Sequence, residues 1–230
     1  MTSLPVTYQV PPPVTYRELW NAEDINSLLL PSRVRGGHAL TITGGSKQST
    51  ADGVHFGGTV NDVITIANNA DQNGKAAWDI TIRFKPDQTI NSALADYQYL
   101  MVKLPGGAAG LLFGFEPATG KLFLGQKDAP ATGWTFLVYS TTVVWTAGEE
   151  HTVTASLSDA AGALRQRMIV DGVVEGTGTT LPLATPASGD VLIGSDGAVL
   201  GFVGTIAWVV IGVGATATVA LTTAEETGLS

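Results

Sequence analysis

Short stretches of alternating apolar and polar residues, separated by turns rich in glycine and proline, dominate the chain from Gly36 onward. The clearest is 78–85, where tryptophan, isoleucine and phenylalanine alternate with polar residues at period two, which indicates a half-buried strand. Residues 150–157 alternate in the same way, and Asp171-Gly172 joins two apolar runs as a two-residue hairpin. At typical strand length the pattern predicts roughly twelve to fourteen strands, and therefore an all-β, two-sheet antiparallel jelly-roll sandwich.

The remaining predicted strands are each short and are bounded by turn residues. They cover residues 39–43, 53–56, 60–66, 97–104, 111–115, 121–126, 134–139, 141–145, 164–170, 191–194 and 199–213. Because no sustained helical spacing occurs among them, we predict one sandwich domain over residues 36–230, with a short helix near its C-terminal end after Thr222 or Thr223.

Residues 1–35 differ from the rest and predict an extended N-terminal arm, with a short helix possible over 21–30. Consecutive prolines restrict φ and remove amide donors, which favours a polyproline-like conformation. Aromatic rings in such an arm need a surface to bury against, either on the chain's own sandwich or on a partner. The residues predicted to dock the arm are Tyr8, Pro11, Pro12, Pro13, Tyr16, Leu19 and Trp20.

Composition narrows the classes of function. Hydrophobic residues make up 44% of the chain and charged residues 14%, which is ample for a large core and predicts that another chain covers part of the surface, as in a homo-oligomer. The net charge of −8 argues against a nucleic-acid partner and against an anionic membrane surface. The chain has no cysteine, so disulfides and thiolate zinc sites are excluded. The first ten residues lack the features of a signal peptide, so we expect a virion surface, or an extracellular location reached without a classical signal.

Five short segments, in order, match the pattern of one known family. They are 40–43 with 52–58, 78–86, 168–172, 192–194 and 202–206. In this order they resemble the laminin-G-like branch of the concanavalin A-like jelly rolls. Phe84 stands where that family more often has tryptophan, and Trp145 resembles the structural tryptophan that precedes a turn. The resemblance implies a lectin-like or adhesive sandwich, sometimes assisted by calcium.

Catalytic signals are weak in the sequence. Glycosidases need two suitably spaced carboxylates, and the glucanases of this fold carry them as Glu-x-Asp-x-(x)-Glu on one strand, a motif that is missing here. Glu149 and Glu150 are adjacent, so on a strand they face opposite ways. His151 begins an alternating strand and is interpreted as a partly buried, hydrogen-bonded residue. We therefore predict that the protein is not an enzyme.

Calcium and glycan sites are the two other kinds of site that the sequence could form. The calcium candidates are Asn68, Asn69, Asp71 and Asn73, with Asp190 and Asp196 as another option, because calcium prefers oxygen ligands. Asn, Asp and Gly are also ordinary turn formers, and that interpretation is preferred, so no cofactor is assigned.

A glycan site needs exposed aromatic rings with amide hydrogen bonds. The candidates are Trp134 and Tyr139, with Tyr97 and Tyr99 as further options, although no cluster of aromatic residues stands out in the sequence. Trp78, Trp145 and Trp208 are interpreted as core or structural residues.

The leading hypothesis is a structural and adhesive outer component of a phage or virus-like particle, such as a capsid decoration protein. It would bind a protein partner or the capsid lattice through residues 1–35, and would contact glycans. The alternative is a glycan-binding lectin-like module, with or without calcium. A polysaccharide-degrading enzyme is a third class, which the missing carboxylate motif disfavours.

Overall fold

Two antiparallel sheets pack face to face in the computed structural model, which confirms the predicted sandwich. The model describes residues 16–21, 29–30, 40–43, 48–50, 53–68, 72–73, 77–103, 110–127, 134–157, 166–178, 188–197 and 201–213. Before residue 53 it describes strand backbone alone.

The described residues form sixteen strands. In chain order they are β1 (Tyr16–Asn21), β2 (Leu29–Leu30), β3 (Leu40–Thr43), β4 (Gln48–Thr50), β5 (Gly53–Gly57), β6 (Val63–Ile66), β7 (Trp78–Pro86), β8 (Gln98–Lys103), β9 (Gly110–Phe115), β10 (Leu122–Lys127), β11 (Trp134–Tyr139), β12 (His151–Leu157), β13 (Gln166–Val170), β14 (Val173–Gly178), β15 (Val191–Ile193) and β16 (Val203–Val213).

The strand order defines sheet 1 and sheet 2. Sheet 1 runs β14-β13-β12-β7-β16-β5-β4, and β1 also pairs with β16. Sheet 2 runs β11-β10-β9-β8-β15-β6-β3-β2. Every described ladder between these strands is antiparallel, as the short turns and period-two pattern predicted.

The central strand β7 shows how the alternation builds the core. Its apolar residues point between the sheets and are fully buried. Its polar positions Asp79 and Thr81 are buried as well, so the prediction of a half-buried strand is wrong here. Their polar groups are paired with β12: Ser156 Oγ donates to Asp79 Oδ1 at 2.7 Å, and the hydroxyl oxygens of Thr81 and Thr154 are 3.0 Å apart.

The predicted two-residue hairpin joins β13 to β14. Asp171 and Gly172 have φ of 48° and 78°, the left-handed values that a tight hairpin of this length requires. His151 Nδ1 lies 2.9 Å from Asp171 Oδ2, and the Thr152 amide donates to Asp171 Oδ1 at 2.8 Å. Burial alone would raise the pKa of Asp171, but these hydrogen bonds outweigh it and lower the pKa. The interpretation of His151 as a hydrogen-bonded, partly buried residue is confirmed.

Three local predictions are wrong. Residues 141–145 form a loop, because Glu175 accepts hydrogen bonds from the Thr141 and Thr142 amides, and the one ladder contact of this segment joins Trp145 to Ile90. The last long strand begins at Val203, and Gly201 before it makes an isolated bridge to Tyr99. The predicted helix over 21–30 does not form at its two ends, which belong to β1 and β2, and its residues 22–28 lie outside the described part of the chain.

Trp78 and Trp145 are fully buried between the sheets, as predicted. Trp208 is buried too, but it does not belong to the core cluster. A register shift between Ile206 and Trp208 places Trp208 opposite Arg83, on the outward-facing register position of β16. Trp208 is therefore buried as predicted, but on the face of β16 that points away from the core cluster.

Part of the predicted arm pairs within the chain. Tyr16, Leu19 and Trp20 belong to β1, which runs antiparallel to β16 from the pair Tyr16–Val213 to the pair Asn21–Trp208. Tyr8 and Pro11–Pro13, like the predicted C-terminal helix, lie outside the described residues. Among the described residues, no helical segment has the length and apolar character that a membrane crossing requires.

Candidate functional site

A second apolar cluster lies on the outer face of sheet 2, separate from the core. The strand register places two rows of residues across β8 to β11. One row is Tyr99, Gly114, Phe123 and Tyr139, and the other is Val102, Leu112, Gly125 and Phe136. We call the cluster the aromatic surface; its members are Tyr97, Tyr99, Val102, Leu112, Phe123, Phe136, Tyr139 and Leu192.

The rings of the aromatic surface pack on one another. Tyr97 and Tyr99 are stacked, with centroids 6.0 Å apart and an angle of 3° between the rings. Phe123 meets Tyr97 edge to face at 5.8 Å and Phe136 edge to face at 4.9 Å. Phe123 is fully buried beneath its neighbours, whereas Tyr97, Phe136 and Tyr139 are partly exposed. Packing therefore holds three partly exposed rings in fixed positions on an otherwise flat sheet face.

Gly114 makes room for this arrangement. A Cβ atom at Gly114 would lie 2.4 Å from the Gln98 carbonyl oxygen and 3.1 Å from Cδ1 of the Tyr99 ring. A side chain at this position would displace the Tyr99 ring, so the glycine lets the ring lie close over β9.

Carboxylates border the tyrosines. The Tyr139 hydroxyl donates to Glu116 Oε1 at 3.2 Å, and Asp96 Oδ1 accepts from the Tyr97 amide at 2.7 Å. Burial, followed by the charge of Glu116, raises the pKa of Tyr139 to about 12. Burial, followed by Asp196, raises the pKa of Tyr99 further still. These phenols are therefore neutral near pH 7 and can donate hydrogen bonds.

A cleft of about 470 Å³ is lined in part by Gln98 and by Asp96, the residue whose carboxylate accepts from the Tyr97 amide. Backbone of Gly57, Gly58 and Gly201 forms part of its wall. We call it the amide cleft, because its polar side chains are two glutamines, an asparagine, a threonine and one carboxylate. They are Gln88, Thr89, Asn91, Asp96 and Gln98.

The lining of the amide cleft is largely held in place by local hydrogen bonds. Asn91 Oδ1 accepts from the Ala93 amide at 2.8 Å, and Thr89 Oγ1 accepts from the Ala147 amide at 3.3 Å. Gln98 is buried, with its amide oxygen 3.4 Å from the Val203 nitrogen. Gln88 is exposed at the mouth of the cleft. The cleft thus combines a hydrogen-bonded wall with the exposed amide of Gln88.

Of the two residues predicted to bind glycans, one belongs to the aromatic surface. Tyr139 belongs to the aromatic surface, together with the further options Tyr97 and Tyr99. Trp134 begins β11, two residues before Phe136, and its side chain lies outside the described residues. The aromatic cluster did not stand out in the sequence, because strand order brings together rings that are far apart along the chain. Phe123, Phe136 and the cleft residues were missed, and the alternation of Tyr97 with Tyr99 was the one available signal.

The calcium candidates show a different role where they are described. The Asn68 amide donates to Asp190 Oδ1 at 2.8 Å, and the Gly189 amide donates to Asn68 Oδ1 at 3.1 Å. These bonds tie the end of β6 to the start of β15, as turn-forming residues do. Asn73 lies in a turn, while Asn69 and Asp71 lie outside the described residues. In the described ranges, no group of three or more His, Cys, Asp or Glu side chains is placed to hold a metal ion.

Comparison with known proteins bears on the fold. Neither a protein-family model nor a curated protein sequence matches the chain. Among solved structures, domain 4 of AbnA, a GH43 extracellular arabinanase from Geobacillus stearothermophilus in complex with arabinotriose, is similar at 19% identity over 92% of this chain and 96% of that one, with a TM-score of 0.67.

Two larger proteins contain a similar unit. The sialidase of Trypanosoma rangeli in complex with sialic acid is similar at 15% sequence identity over 92% of this chain, with a TM-score of 0.59. The botulinum neurotoxin type G receptor-binding domain is similar at 12% sequence identity over 94% of this chain, also with a TM-score of 0.59. This chain spans about a third of the sialidase chain (32%) and about half of the neurotoxin chain (51%). These likenesses show a shared lectin-like β-sandwich fold.

Lys103 is a titratable side chain that lies inside the sandwich. Lys103 ends β8 and is fully buried, with Nζ 2.6 Å from the Gly189 carbonyl oxygen and 6.0 Å from the centre of the Trp78 ring. Burial lowers the pKa of Lys103 from 10.5 to about 8, and the nearby Asp190 charge only partly opposes this. The unfolded chain thus binds more protons at this position between pH 8 and 10.5.

This difference predicts a pH-dependent effect of Lys103→Met. Because the folded pKa is the lower one, the wild type gains stability as pH rises from 8 to 10, by about 2 kcal/mol from this group. The variant lacks the gain, so its stability relative to the wild type should fall by that amount over the same interval. Urea denaturation at pH 8, 9 and 10 measures this. Ionisation of tyrosines in the unfolded state affects both proteins equally, so it cancels in the difference between their free energies of unfolding. If the free energies of unfolding of the two proteins changed in parallel with pH, the burial of a titrating amine at Lys103 would be contradicted.

Proposed function

We propose that this protein is a non-enzymatic glycan-binding module, and that it binds sugars through the aromatic surface together with the amide cleft. The observation that carries the proposal is that Asp96 links the two parts. Its carboxylate accepts from the Tyr97 amide and it also lines the cleft. Tyr97, Phe136 and Tyr139 present partly exposed rings, and the cleft presents amide and hydroxyl groups. Sugar rings stack their apolar faces on aromatic side chains and hydrogen-bond to amides through their hydroxyl groups.

Two of the three similar structures described above support this proposal. Their complexes contain arabinotriose and sialic acid, so sandwiches of this fold occur in proteins that bind sugars. Function has to be argued from the site, however, since one fold carries many activities. The ring stack and the amide-lined cleft supply that argument for this chain.

A glycan panel tests the proposal. The full chain is screened against immobilised oligosaccharides, including arabinan, xylan and glucan oligomers, and the dissociation constant is then measured for the wild type and for Tyr97→Ala. Loss of one stacking ring is expected to weaken binding about tenfold, since such contacts contribute about 1–3 kcal/mol.

A matched control accompanies this variant. Val173→Ala removes apolar surface from β14 in the other sheet, where the side chain is 63% exposed, and should leave the affinity unchanged. Absence of binding to the whole panel, or equal affinity of Tyr97→Ala and wild type, would argue against the proposed site.

A second hypothesis is that the protein is an outer component of a virus particle. This hypothesis includes docking on a capsid lattice, formation of a homo-oligomer and a location on the virion surface. It was based on composition and on residues 1–35, of which residues 16–21 pair within the chain. A glycan-binding face is compatible with that role, because adhesive virion proteins contact glycans.

A further inference from the structure

Three carboxylates act on the tyrosines of the aromatic surface. Glu116 accepts from the Tyr139 hydroxyl at 3.2 Å and from Thr119 Oγ1 at 2.7 Å, which fixes its carboxylate at the border of the surface. Asp96 accepts from the Tyr97 amide and also lines the amide cleft, so it lies where the two parts of the site meet. Asp196 follows β15, the neighbour of β8 in sheet 2, and after burial its charge and then that of Asp96 raise the pKa of Tyr99.

Few positive charges oppose them. In the described part of the site, Lys121 Nζ lies 6.0 Å from the centre of the Tyr139 ring. The described lining of the amide cleft includes Asp96 and no lysine or arginine. A ligand at the site therefore meets three carboxylates and one ammonium group among the described residues, and the excess negative charge has the same sign as the net charge of the chain, −8.

This excess has a predictable effect on binding. At about 0.1 M salt the screening length is about 10 Å, so charges bordering the surface act on a ligand lying upon it. A surplus of about two negative charges at this range, in the high dielectric of a protein surface, changes the affinity for a charged ligand roughly tenfold. Aromatic faces add attraction for an ammonium group, because the ring face is negative.

We infer that the glycan that occupies this site carries no acidic group, and that a protonated amino sugar binds more tightly than its neutral counterpart. The inference rests on the proposed function, since it names the class of glycan for the same surface. Uronic, sulfated and sialylated chains are disfavoured because their charges would face Asp96, Glu116 and Asp196.

Matched polysaccharides test the inference. Cellulose, xylan and arabinan are each prepared unmodified, carboxymethylated and aminoethylated to the same degree, and the dissociation constant of the full chain is measured in 20 mM and 500 mM NaCl. For each backbone that binds, carboxymethylation is expected to weaken binding about tenfold at low salt, and amination to strengthen it by a similar factor. Both differences should shrink at high salt.

Charge variants identify the source of the preference. In the triple variant Asp96→Asn/Glu116→Gln/Asp196→Asn, the dissociation constants for the unmodified, carboxymethylated and aminoethylated forms should agree within about twofold. Glu149→Gln/Glu150→Gln, which removes two negative charges away from this surface, should keep the discrimination between the three forms. Equal or tighter binding of the carboxymethylated form, or discrimination that survives in the triple variant, would overturn the inference while leaving glycan binding intact. No binding to any backbone in any form would instead overturn the proposed function.

Discussion

Replacing Trp145 with alanine is expected to lower the free energy of unfolding by about 3–5 kcal/mol, the largest change in stability that we predict for a single side chain. Trp145 is fully buried and packs against Phe84, Phe115 and His151, with ring centroids 5.8, 5.4 and 5.0 Å away. Its indole Nε1 also donates to the Gly120 carbonyl oxygen at 3.0 Å. Alanine would leave a large cavity between the sheets and an acceptor without its donor.

Urea denaturation followed by far-ultraviolet circular dichroism measures this effect, since it does not depend on the indole as a probe. Trp145→Phe keeps most of the ring but loses the hydrogen bond, so it should cost about 1–2 kcal/mol. Val144→Ala, at an adjacent residue that is 52% exposed, should change stability by no more than about 0.5 kcal/mol. An unfolding midpoint of Trp145→Ala equal to that of the wild type would contradict the assignment of Trp145 to the core.

Replacing Tyr97 and Gln88 together is expected to weaken glycan binding about a hundredfold, more than either change alone. In the proposed site Tyr97 is the stacking ring and Gln88 is the exposed amide that lines the cleft, so the two variants are designed to remove different kinds of contact. Effects of this kind add when the residues touch separate parts of one ligand. Both side chains are at least partly exposed, so the double alanine variant should still fold.

The matched control for this double variant is Val173→Ala/Val174→Ala on β14. These residues are 63% and 47% exposed and belong to the opposite sheet. Their replacement removes two exposed side chains without touching the proposed site. A loss of affinity in this control would indicate a general effect on the fold rather than the removal of glycan contacts.

Much of the fold could be predicted because its signals are local. The alternation of β7 and the Asp171-Gly172 turn each depend on a few neighbouring residues, and the structure confirms both elements. Residues 141–145 were assigned wrongly because their conformation depends on Glu175, a residue of another strand that accepts their amide hydrogens. Alternation alone cannot report such a contact between distant parts of the chain.

The aromatic surface could not be predicted, because it depends on strand order and on register. Leu122 and Leu124 point into the core while Phe123 between them points outward, so β10 is apolar on both faces and shows no period-two signal. Phe123 and Tyr97 meet because β8, β9 and β10 are neighbours in sheet 2. The position of the cleft depends in the same way on loops from both sheets.

The most direct test of the central claim is calorimetric titration of the wild type and of Tyr97→Ala/Gln88→Ala with the glycan that binds best in the panel. We predict measurable binding by the wild type and a dissociation constant about a hundredfold higher for the double variant, with an unchanged circular dichroism spectrum. Equal dissociation constants for the two folded proteins would contradict the claim that the aromatic surface and the amide cleft form the binding site.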